Sequence, residues 1–504
     1  MHSGFRVVAA SAIIVAASLV IRADVTPLSQ AADIQIQLGD LLFEEGRYFE
    51  SLDAYRNALR AAPSDPGRRP RVGIIASALR VAAFDVAVEE AEALSRIDPT
   101  GPESMALYGD ALWASGLFQE AEGKYRDSLA AAPDSARGHH GMARALASRS
   151  RLDDAVREAQ AALKLSPQDL EIHHTLGTIF ERMHRYEDAA GAYSKYVDLL
   201  PNKDRSDKAA WSRAEIRFLR SFGQRVPFET EPGTDGRLYT VDFRLVNDKV
   251  IVSAKVNGAP AQDFVIDTGS ENTVITRPTA ERLRITPITY TLSAGVGEVG
   301  LRGLQLARID TLEMGSLKLR NVPCLIKNPP LQNLPVKETE GLSPIALGYS
   351  MIIDYKAHRL TLGKHLPDEP MDIELPLSLY RLATVRGLVD GVHKANFVVD
   401  TGGQVISISQ ATARSLDKPD TARRIALKVY GTSGWDRDAF LMPGVSLSFD
   451  TIQYTNFPVV VLNLNAPSAL LGFKLGGIVG YKFLSHYRVA FDLERSVLRL
   501  RSVS

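Results

Sequence analysis

The sequence contains a single cysteine among 504 residues, so no intrachain disulfide can form. That residue, Cys324, lies in the strand-like run NVPCLI and is expected to be buried filler rather than a nucleophile. The chain also lacks an excess of either charge, because 59 Lys and Arg residues balance 59 Asp and Glu residues. This balance favours neither nucleic acid nor an anionic membrane surface as a partner.

A composition of 45% hydrophobic and 23% charged residues is ordinary for a globular protein, and the length requires two or three domains. The longest uncharged stretch near the start is a run of fifteen residues from Val7 to Ile21, ahead of Arg22. It is at the upper end of the range for export signals and shorter than the roughly 20 residues of a spanning helix. We therefore expect residues 1–23 to be a signal peptide or an uncleaved N-terminal membrane anchor, and the protein to be exported, to the periplasm or outside the cell. The alternative is a frayed apolar helix at the start of a cytoplasmic protein.

A sequence repeat fills the N-terminal half. Its markers are prolines at an almost constant spacing, at Pro63, Pro99, Pro133, Pro167 and Pro201. Small residues recur twelve and, with one exception, twenty-four positions before each proline, and an aromatic recurs eight positions before three of them, at Tyr55, Tyr125 and Tyr193. Small residues at a helix crossing, an aromatic beside them and a closing proline indicate a helix–turn–helix repeat.

This pattern resembles the tetratricopeptide repeat over five units, and residues 207–222 are expected to form a capping helix, so the array spans 32–222. The resemblance implies a stacked helical solenoid whose groove binds a protein or peptide partner. Two histidine pairs, His139-His140 and His173-His174, occupy the same position of successive repeats. A metal site across neighbouring helices is one interpretation. The simpler one is that one histidine of each pair fills an aromatic position and the other faces the groove.

After a linker rich in Pro and Gly at residues 223–237, the period becomes that of strands. One phrase then occurs twice, as FVIDTGS at 264–270 and as FVVDTGG at 397–403. A turn pair lies ten residues before each aspartate, Asn257-Gly258 in the first copy and Asp390-Gly391 in the second. A duplicated unit folded face to face would bring Asp267 and Asp400 together.

Each copy also has a downstream landmark, since Gly348 follows Asp267 at nearly the same distance along the chain as Gly480 follows Asp400. We therefore predict an all-β bilobal domain over residues 238–504, with lobes at 238–370 and 371–504. These motifs resemble the retropepsin-like aspartic proteases, with both lobes on one chain as in the pepsins. The predicted fold class is thus multi-domain, an all-α repeat solenoid followed by an aspartic-protease-like β domain.

The resemblance implies a role for each motif residue. Asp267 and Asp400 would share a proton and activate a water molecule, without metal or cofactor. Thr268 and Thr401 would brace the opposite lobe, and Gly269 and Gly402 would leave backbone N–H groups free to approach the carboxylates. The landmarks Gly348 and Gly480 would pack behind the aspartate loops.

Two glycine-containing stretches are predicted flaps that close over a peptide. The first contains Gly295, Val296 and Gly297, and the second contains Trp435; ordinary hairpin loops are the alternative in both cases. Two departures from the family stand out. Gly403 replaces a Ser or Thr whose hydroxyl would bond the carboxylate, a bond expected to remain in the other lobe at Ser270. The first copy also runs from Gly348 to Asp354 in six residues where the second takes twelve, which predicts a missing or remodelled helical turn.

The sequence thus predicts an aspartic endopeptidase that cleaves an extended peptide at mildly acidic to neutral pH, with the repeats recruiting a protein substrate. One alternative is a catalytically inactive, protease-like peptide-binding scaffold. Another is a different hydrolytic use of the same two carboxylates.

Overall fold

The computed structural model describes residues 27–503, apart from 63–66, 235, 298, 329, 332–337, 417 and 419–423. The chain divides into two compact units, Met1–Pro99 and Thr100–Ser504. Residues 1–23, where an export signal or anchor is predicted, lie outside the described part. None of the described helices is long and apolar enough to cross a bilayer.

The repeats are pairs of helices, two pairs in the first unit and three in the second. The first unit contains α1 (Pro27–Glu44), α2 (Tyr48–Ala61), α3 (Arg68–Arg80) and α4 (Phe84–Ile97). The second unit begins with α5 (Pro102–Ala114), α6 (Phe118–Ala131), α7 (Ala136–Ser148), α8 (Leu152–Leu165), α9 (Leu170–Arg182), α10 (Tyr186–Leu199) and α11 (Asp207–Arg220). Helix α11 lies where the capping helix is predicted.

The aromatic position of the repeat fills space that only glycine leaves open. A Cβ atom on Gly109 would lie 2.5 Å from the ring of Tyr125, and one on Gly177 would lie 2.5 Å from the ring of Tyr193. Tyr125 is fully buried, and its hydroxyl donates to Asp110. This packing confirms the predicted pairing of small and aromatic residues and explains why the repeat keeps both.

The histidine pairs take part in the packing of the repeats. His140 is buried with its Nε2 2.8 Å from Thr175 Oγ1, and burial lowers the pKa of its imidazole to about 3. His139 Nδ1 lies 2.7 Å from Glu158 Oε2, and the ring of His174 contacts the ring of Tyr196. No three His, Cys, Asp or Glu side chains come together as metal ligands in the described part of the chain.

The β region contains two lobes. The first lobe is formed by β1 (Tyr239–Asp242), β2 (Arg244–Val246), β3 (Lys249–Val256), β4 (Gln262–Ile266), β5 (Thr273–Thr276), α12 (Arg277–Arg282), β6 (Thr289–Ala294), β7 (Leu301–Met314), β8 (Leu317–Lys327), β9 (Glu340–Leu342), β10 (Ser350–Asp354) and β11 (Arg359–Gly363). Eight of these strands form one sheet in the order β2-β3-β4-β9-β5-β8-β7-β6.

The second lobe repeats this plan. It is formed by β12 (Ile373–Tyr380), β13 (Leu382–Val389), β14 (His393–Val399), β15 (Ile406–Ser409), α13 (Gln410–Ser415), β16 (Ile425–Ala426), β17 (Val429–Gly431), β18 (Gly434–Asp436), β19 (Phe440–Phe449), β20 (Ile452–Leu462), α14 (Asn465–Leu471), β21 (Gly477–Val479), α15 (Tyr481–Leu484), β22 (Tyr487–Asp492) and β23 (Val497–Ser502). The closing strands of both lobes share a sheet, because β10 pairs antiparallel with β22 from Met351↔Phe491 to Asp354↔Arg488. The apolar faces of the two lobes therefore form one continuous core.

Within the second unit the repeats share apolar clusters with both lobes. On the second lobe, the ring of Phe118 lies 5.1 Å from that of Phe473, and the ring of Trp113 lies 5.2 Å from that of Tyr380. On the first lobe, α11 packs against Leu304, Leu306 and Leu325. The predicted linker is also held by the first lobe, where Glu229 forms a β-bridge with Arg320.

Because of these shared clusters, the β region is expected not to fold alone. A fragment of residues 224–504 should be insoluble when expressed, since side chains such as Leu304 and Phe473 lose their cover and each is worth about 1.5–3 kcal/mol when buried. A fragment of residues 100–504, which keeps the second unit whole, is the matched control and should be soluble. Size-exclusion chromatography and thermal unfolding compare the two. A monomeric 224–504 fragment that unfolds within a few degrees of the control would contradict this expectation.

Candidate active site

The two aspartates leave their sheets at equivalent points. Asp267 follows β4, which runs parallel to β9, and its backbone N–H donates to Leu342 O at 2.9 Å. Asp400 follows β14, which runs parallel to β21, and its N–H donates to Val479 O at 3.0 Å. The buried Val- and Ile-rich strands thus fix the start of each Asp-Thr-Gly triplet.

The triplets face each other and bring the two carboxyl groups together, as the sequence predicts. A Cβ atom on Gly269 would lie 2.7 Å from Asp400 Cγ, and one on Gly402 would lie 2.8 Å from Asp267 Cγ. Any side chain at either glycine would therefore displace the carboxyl group of the opposite lobe. Glycine is required at both positions for close approach of the backbone.

The carboxyl groups are arranged to hold a shared proton near neutral pH. Burial, and secondly the charge of Asp267, raises the pKa of Asp400 to about 7. Burial also raises the pKa of Asp267 above its ordinary value. The N–H of Gly269 donates to Asp267 Oδ1 at 3.0 Å, and that of Gly402 donates to Asp400 Oδ1 at 2.8 Å, which favours ionisation. Raised pKa values in two facing carboxyl groups favour a pair that shares one proton at a pH where isolated aspartates are ionised.

Thr268 and Thr401 lock the two triplets together. The hydroxyl of Thr268 donates to Val399 O, and the hydroxyl of Thr401 donates to Ile266 O at 2.7 Å. Each hydroxyl also accepts the backbone N–H of the other threonine, at 3.0 and 3.1 Å. Both side chains are buried, so four hydrogen bonds between the lobes are shielded from water. The structure therefore places these threonines as the resemblance implies.

The residues that follow the triplets differ from the prediction. The Ser270 hydroxyl donates to Asn272 O at 2.9 Å, and a hydroxyl has one proton, so the expected bond from Ser270 to Asp267 is not made. On the other side, a Cβ atom on Gly403 would lie 2.9 Å from Asp400 Oδ2. Neither lobe thus supplies a hydroxyl donor from this position, and a side chain at 403 would require Asp400 to move.

The prediction that Gly348 packs behind Asp267 is also wrong. The segment that packs behind Asp267 is β9, so Ser343 takes the place that Gly480 has after β21 in the second lobe. Gly348 lies five residues later, at the end of a turn in which the Leu347 N–H donates to Ser343 O. That turn corresponds to α15, so the helical turn predicted to be missing or remodelled is present in the first lobe as a turn instead of a helix. Gly480 does lie where expected, since a Cβ atom on it would be 2.5 Å from Gly403 O.

Both predicted flaps are hairpins, and their tips meet. The first flap is formed by β6 and β7 around Gly295, Val296 and Gly297, and the second is formed by β17 and β18, which contains Trp435. The N–H of Ser433 in the second flap donates to Val296 O at 3.0 Å, and the N–H of Val299 donates to Ser433 O at 3.1 Å. The ring of Trp435 packs on Tyr430 at 5.6 Å. The two predicted flaps are therefore paired with each other at their tips.

Two contacts between the lobes flank the site, and the sequence analysis missed both. Glu271 accepts two hydrogen bonds from Arg381, at 2.7 and 3.0 Å, and Gln404 Nε2 donates to Asn247 O at 2.7 Å. Glu271 and Gln404 each lie four residues after the aspartate of their lobe. The duplicated register is the signal that could have identified them. Because the two copies face each other, a residue at this position in either copy can reach the other lobe.

Comparison with known proteins agrees with this geometry. The aspartyl protease family model matches residues 252–351 and 385–483, which contain the two triplets. The tetratricopeptide repeat family model matches residues 16–66, 76–136 and 140–204. The chain therefore combines tetratricopeptide repeats with a domain that matches the aspartyl proteases.

Individual proteins are similar to shorter parts of the chain. The Hsp70-Hsp90 organizing protein of Triticum aestivum is 31% identical over 96 residues, which are 19% of this chain and only 16% of that protein. Among solved structures, TTC0263 of Thermus thermophilus is 21% identical with a TM-score of 0.32, covering 37% of this chain and 99% of that one. MamA of Desulfovibrio magneticus RS-1 is 20% identical with a TM-score of 0.25, covering 34% and 94%.

Proposed function

We propose that the chain is an aspartic endopeptidase in which Asp267 and Asp400 activate water to cleave an extended peptide. The observation that carries this proposal is the pair of facing carboxyl groups, braced by Thr268 and Thr401, in which the pKa of Asp400 is raised to about 7. Such a pair has a base and an acid available at the same pH.

The reaction needs only these two groups and water. The ionised carboxylate takes a proton from the water as its oxygen attacks the scissile carbonyl carbon, and the protonated carboxyl gives its proton to the carbonyl oxygen. When the tetrahedral diol collapses, one carboxyl group gives its proton to the leaving amine, and the other carboxylate takes a proton from a hydroxyl of the diol as the new carbonyl forms. The pair ends with one proton, as it began. We assign the acid of the free enzyme to Asp400, because burial and the charge of Asp267 raise its pKa to about 7.

The flaps support an extended peptide as the substrate. Their tips are joined by backbone hydrogen bonds through Ser433, and Val296 and Trp435 supply apolar surface there. A closed pair of flaps excludes water from the reacting bond and holds the peptide in line with the carboxyl groups. Breaking the tip contacts would be the step that admits substrate.

The repeats are proposed to recruit a protein substrate or partner, which raises its concentration at the site. The match to the tetratricopeptide repeat family model supports this proposal, as does the similarity to a protein named as an Hsp70-Hsp90 organizing protein. We also propose export from the cytoplasm through residues 1–23, on the strength of the uncharged run there.

A peptide-binding scaffold without cleavage is the second candidate. It is favoured by the absence of a hydroxyl donor after either triplet, at Gly403 and at Ser270. A mixed peptide library incubated with the full-length protein from pH 3 to pH 8, followed by mass spectrometry, separates the two. Cleavage at defined bonds supports the endopeptidase, whereas peptide retention without cleavage at any pH supports the scaffold.

The pH profile of the cleavage rate is expected to be bell-shaped. Above about pH 7 the rate should fall, because Asp400 loses the proton that the carbonyl oxygen requires. At lower pH the rate should fall because Asp267 takes up a proton. Since the pKa of Asp267 is raised, this fall should begin at a higher pH than the ordinary pKa of an aspartate would give. We expect the maximum of kcat/KM between about pH 5 and pH 7, measured with one peptide in buffers of constant ionic strength. A maximum below pH 3 would contradict the assignment.

A further inference from the structure

The first flap is an extension of a strand that belongs to the lobe core. Strand β7 runs without interruption for 14 residues, from Leu301 beside the flap tip to Met314 in the core. Strand β6 pairs with it from Thr289↔Leu306 to Ala294↔Leu301. Because the hairpin is continuous with the lobe, the position of its base determines where its tip lies.

The last repeat helix covers that base. Helix α11 buries Phe218 and Leu219 in a cluster with Leu304 and Leu306 of β7. Phe222, which lies just after the helix, is buried in the same cluster. The side chain of Arg217 donates to Thr289 Oγ1, at the start of β6, with a length of 3.3 Å.

A second arginine connects the C-terminal end of α11 to β7. Arg308 of β7 donates to Ser221 O at 3.2 Å, and its guanidinium lies 5.3 Å from the centre of the Phe222 ring. Helix α11 therefore contacts both strands of the flap through polar groups as well as apolar ones.

Helix α11 is itself held by the repeats. The ring of Phe222 packs edge-on against Tyr186 of α10 at 4.8 Å, and Ile216 of α11 lies in the same buried cluster as Tyr193 of α10. The same repeats contact the second lobe through Phe118 and Phe473. The repeats thus connect the base of the first flap to the opposite lobe by a route that does not pass through the two aspartates.

We propose that α11 positions the first flap, with Arg217 and Phe222 as positioning residues that act through Thr289 and β7. The flap is then held at its base by the repeats and at its tip by the second flap. A ligand that changes the packing of the repeats would alter substrate binding without contact with the carboxyl pair. The kinetic part of this inference rests on the proposed endopeptidase function, and the structural part does not.

The experiment uses the full-length chain with Arg217→Ala, Arg217→Lys and Phe222→Leu. Arg220→Ala is the matched control, because Arg220 lies on the same helix and its polar contacts, with Ser194 and Glu187, are exposed and contribute little to how α11 is held. Amide hydrogen exchange reports on the flaps through the N–H groups of Val299 and Ser433, which form the tip contacts. Values of kcat and KM for one peptide report on catalysis.

We expect Arg217→Ala to speed exchange at both amides about 2–10-fold and to raise KM by a similar factor, since one hydrogen bond is worth about 0.5–1.5 kcal/mol. Phe222→Leu should change exchange and KM by at least as much as Arg217→Ala. Arg217→Lys should remain close to wild type, because lysine can also donate a hydrogen bond to Thr289, and Arg220→Ala should change neither quantity. In a double-mutant cycle with Thr289→Val, the Arg217→Ala change should add little.

A purely structural contact predicts a different result. If Arg217→Ala and Phe222→Leu lower the unfolding temperature while amide exchange in the flaps stays at the wild-type rate, the inference is overturned. If the wild-type protein cleaves no peptide, the proposed function fails, and the exchange measurement alone decides whether α11 positions the flap.

Discussion

Replacing Asp400 with asparagine is expected to lower kcat/KM for peptide cleavage at pH 6 by about 10³-fold or more. The amide keeps the size of the side chain but has no acidic proton to give to the carbonyl oxygen. Asp267→Asn should have an equally large effect, because it removes the base that takes a proton from water. Both losses should appear in kcat, while binding of an uncleaved peptide should persist.

Asp263→Asn is the matched control for this pair of variants. Asp263 lies on the strand that leads to Asp267, is exposed and pairs with Arg244 at the surface, so its loss should leave cleavage unchanged. If Asp400→Asn retains more than about a tenth of wild-type kcat, the carboxyl pair is not the acid–base machinery assigned here.

Asp400→Asn should also change how the stability of the fold depends on pH. The pKa of Asp400 is raised in the folded protein, so the wild-type chain loses stability as pH rises through about 7. Asparagine has no proton to lose, so Asp400→Asn should unfold at a higher temperature than wild type at pH 8. The gain should disappear by pH 4, where the carboxyl is protonated in the folded protein. Thermal unfolding at the two pH values is the measurement.

Replacing Thr401 with valine is expected to lower the free energy of unfolding by about 2–5 kcal/mol and to reduce kcat more than tenfold. Valine has nearly the same shape, but it leaves the buried N–H of Thr268 and the carbonyl of Ile266 without their partner, and each unsatisfied group costs about 1–3 kcal/mol. Activity should fall because the triplets are no longer held together at hydrogen-bond length, and small displacements in an active site cost rate.

Thr401→Ser is the control, since it keeps the hydroxyl and removes only a methyl group. We expect it to retain most of the stability and most of kcat. Thr268→Val, the equivalent change in the first lobe, should resemble Thr401→Val because the hydrogen bonds are reciprocal. Denaturant unfolding and steady-state kinetics on the same preparations test both statements. A stable and active Thr401→Val protein would show that the lobes are held together mainly by the shared sheet.

The features that the sequence predicted correctly are those marked by residue types that recur at a fixed spacing. The Asp-Thr-Gly phrase with its preceding turn and strand occurs once in each lobe, and the glycine and tyrosine positions recur through the repeats. Their side-chain requirements are strict, because a Cβ atom at Gly269 or Gly109 meets another group at less than 3 Å. The two triplets and the five helix pairs could therefore be located without a structure.

The features that it missed depend on backbone pairing or on distant surfaces. The segments behind the aspartates are Glu-Gly-Leu in one lobe and Gly-Ile-Val in the other, and strand pairing with β4 and β14 constrains their side chains only loosely. A search for matching letters therefore selected Gly348 instead of Ser343.

The packing of α11 on Leu304 and Leu306 was invisible for a different reason. Hydrophobic periodicity shows that a face is buried, and it does not show which surface buries it. The same limit applies to Phe118 and Phe473, each of which could have belonged to the core of its own region.

The boundary between the compact units, at Pro99, has a consequence for how such a chain can diversify. Repeats that follow it share buried side chains with the β lobes, so any change in their number would disturb the flap and the carboxyl pair. The repeats before Pro99 belong to a unit that is compact in its own right. Evolution can therefore add, remove or exchange whole repeats there while the second unit, which contains the carboxyl pair, is kept whole.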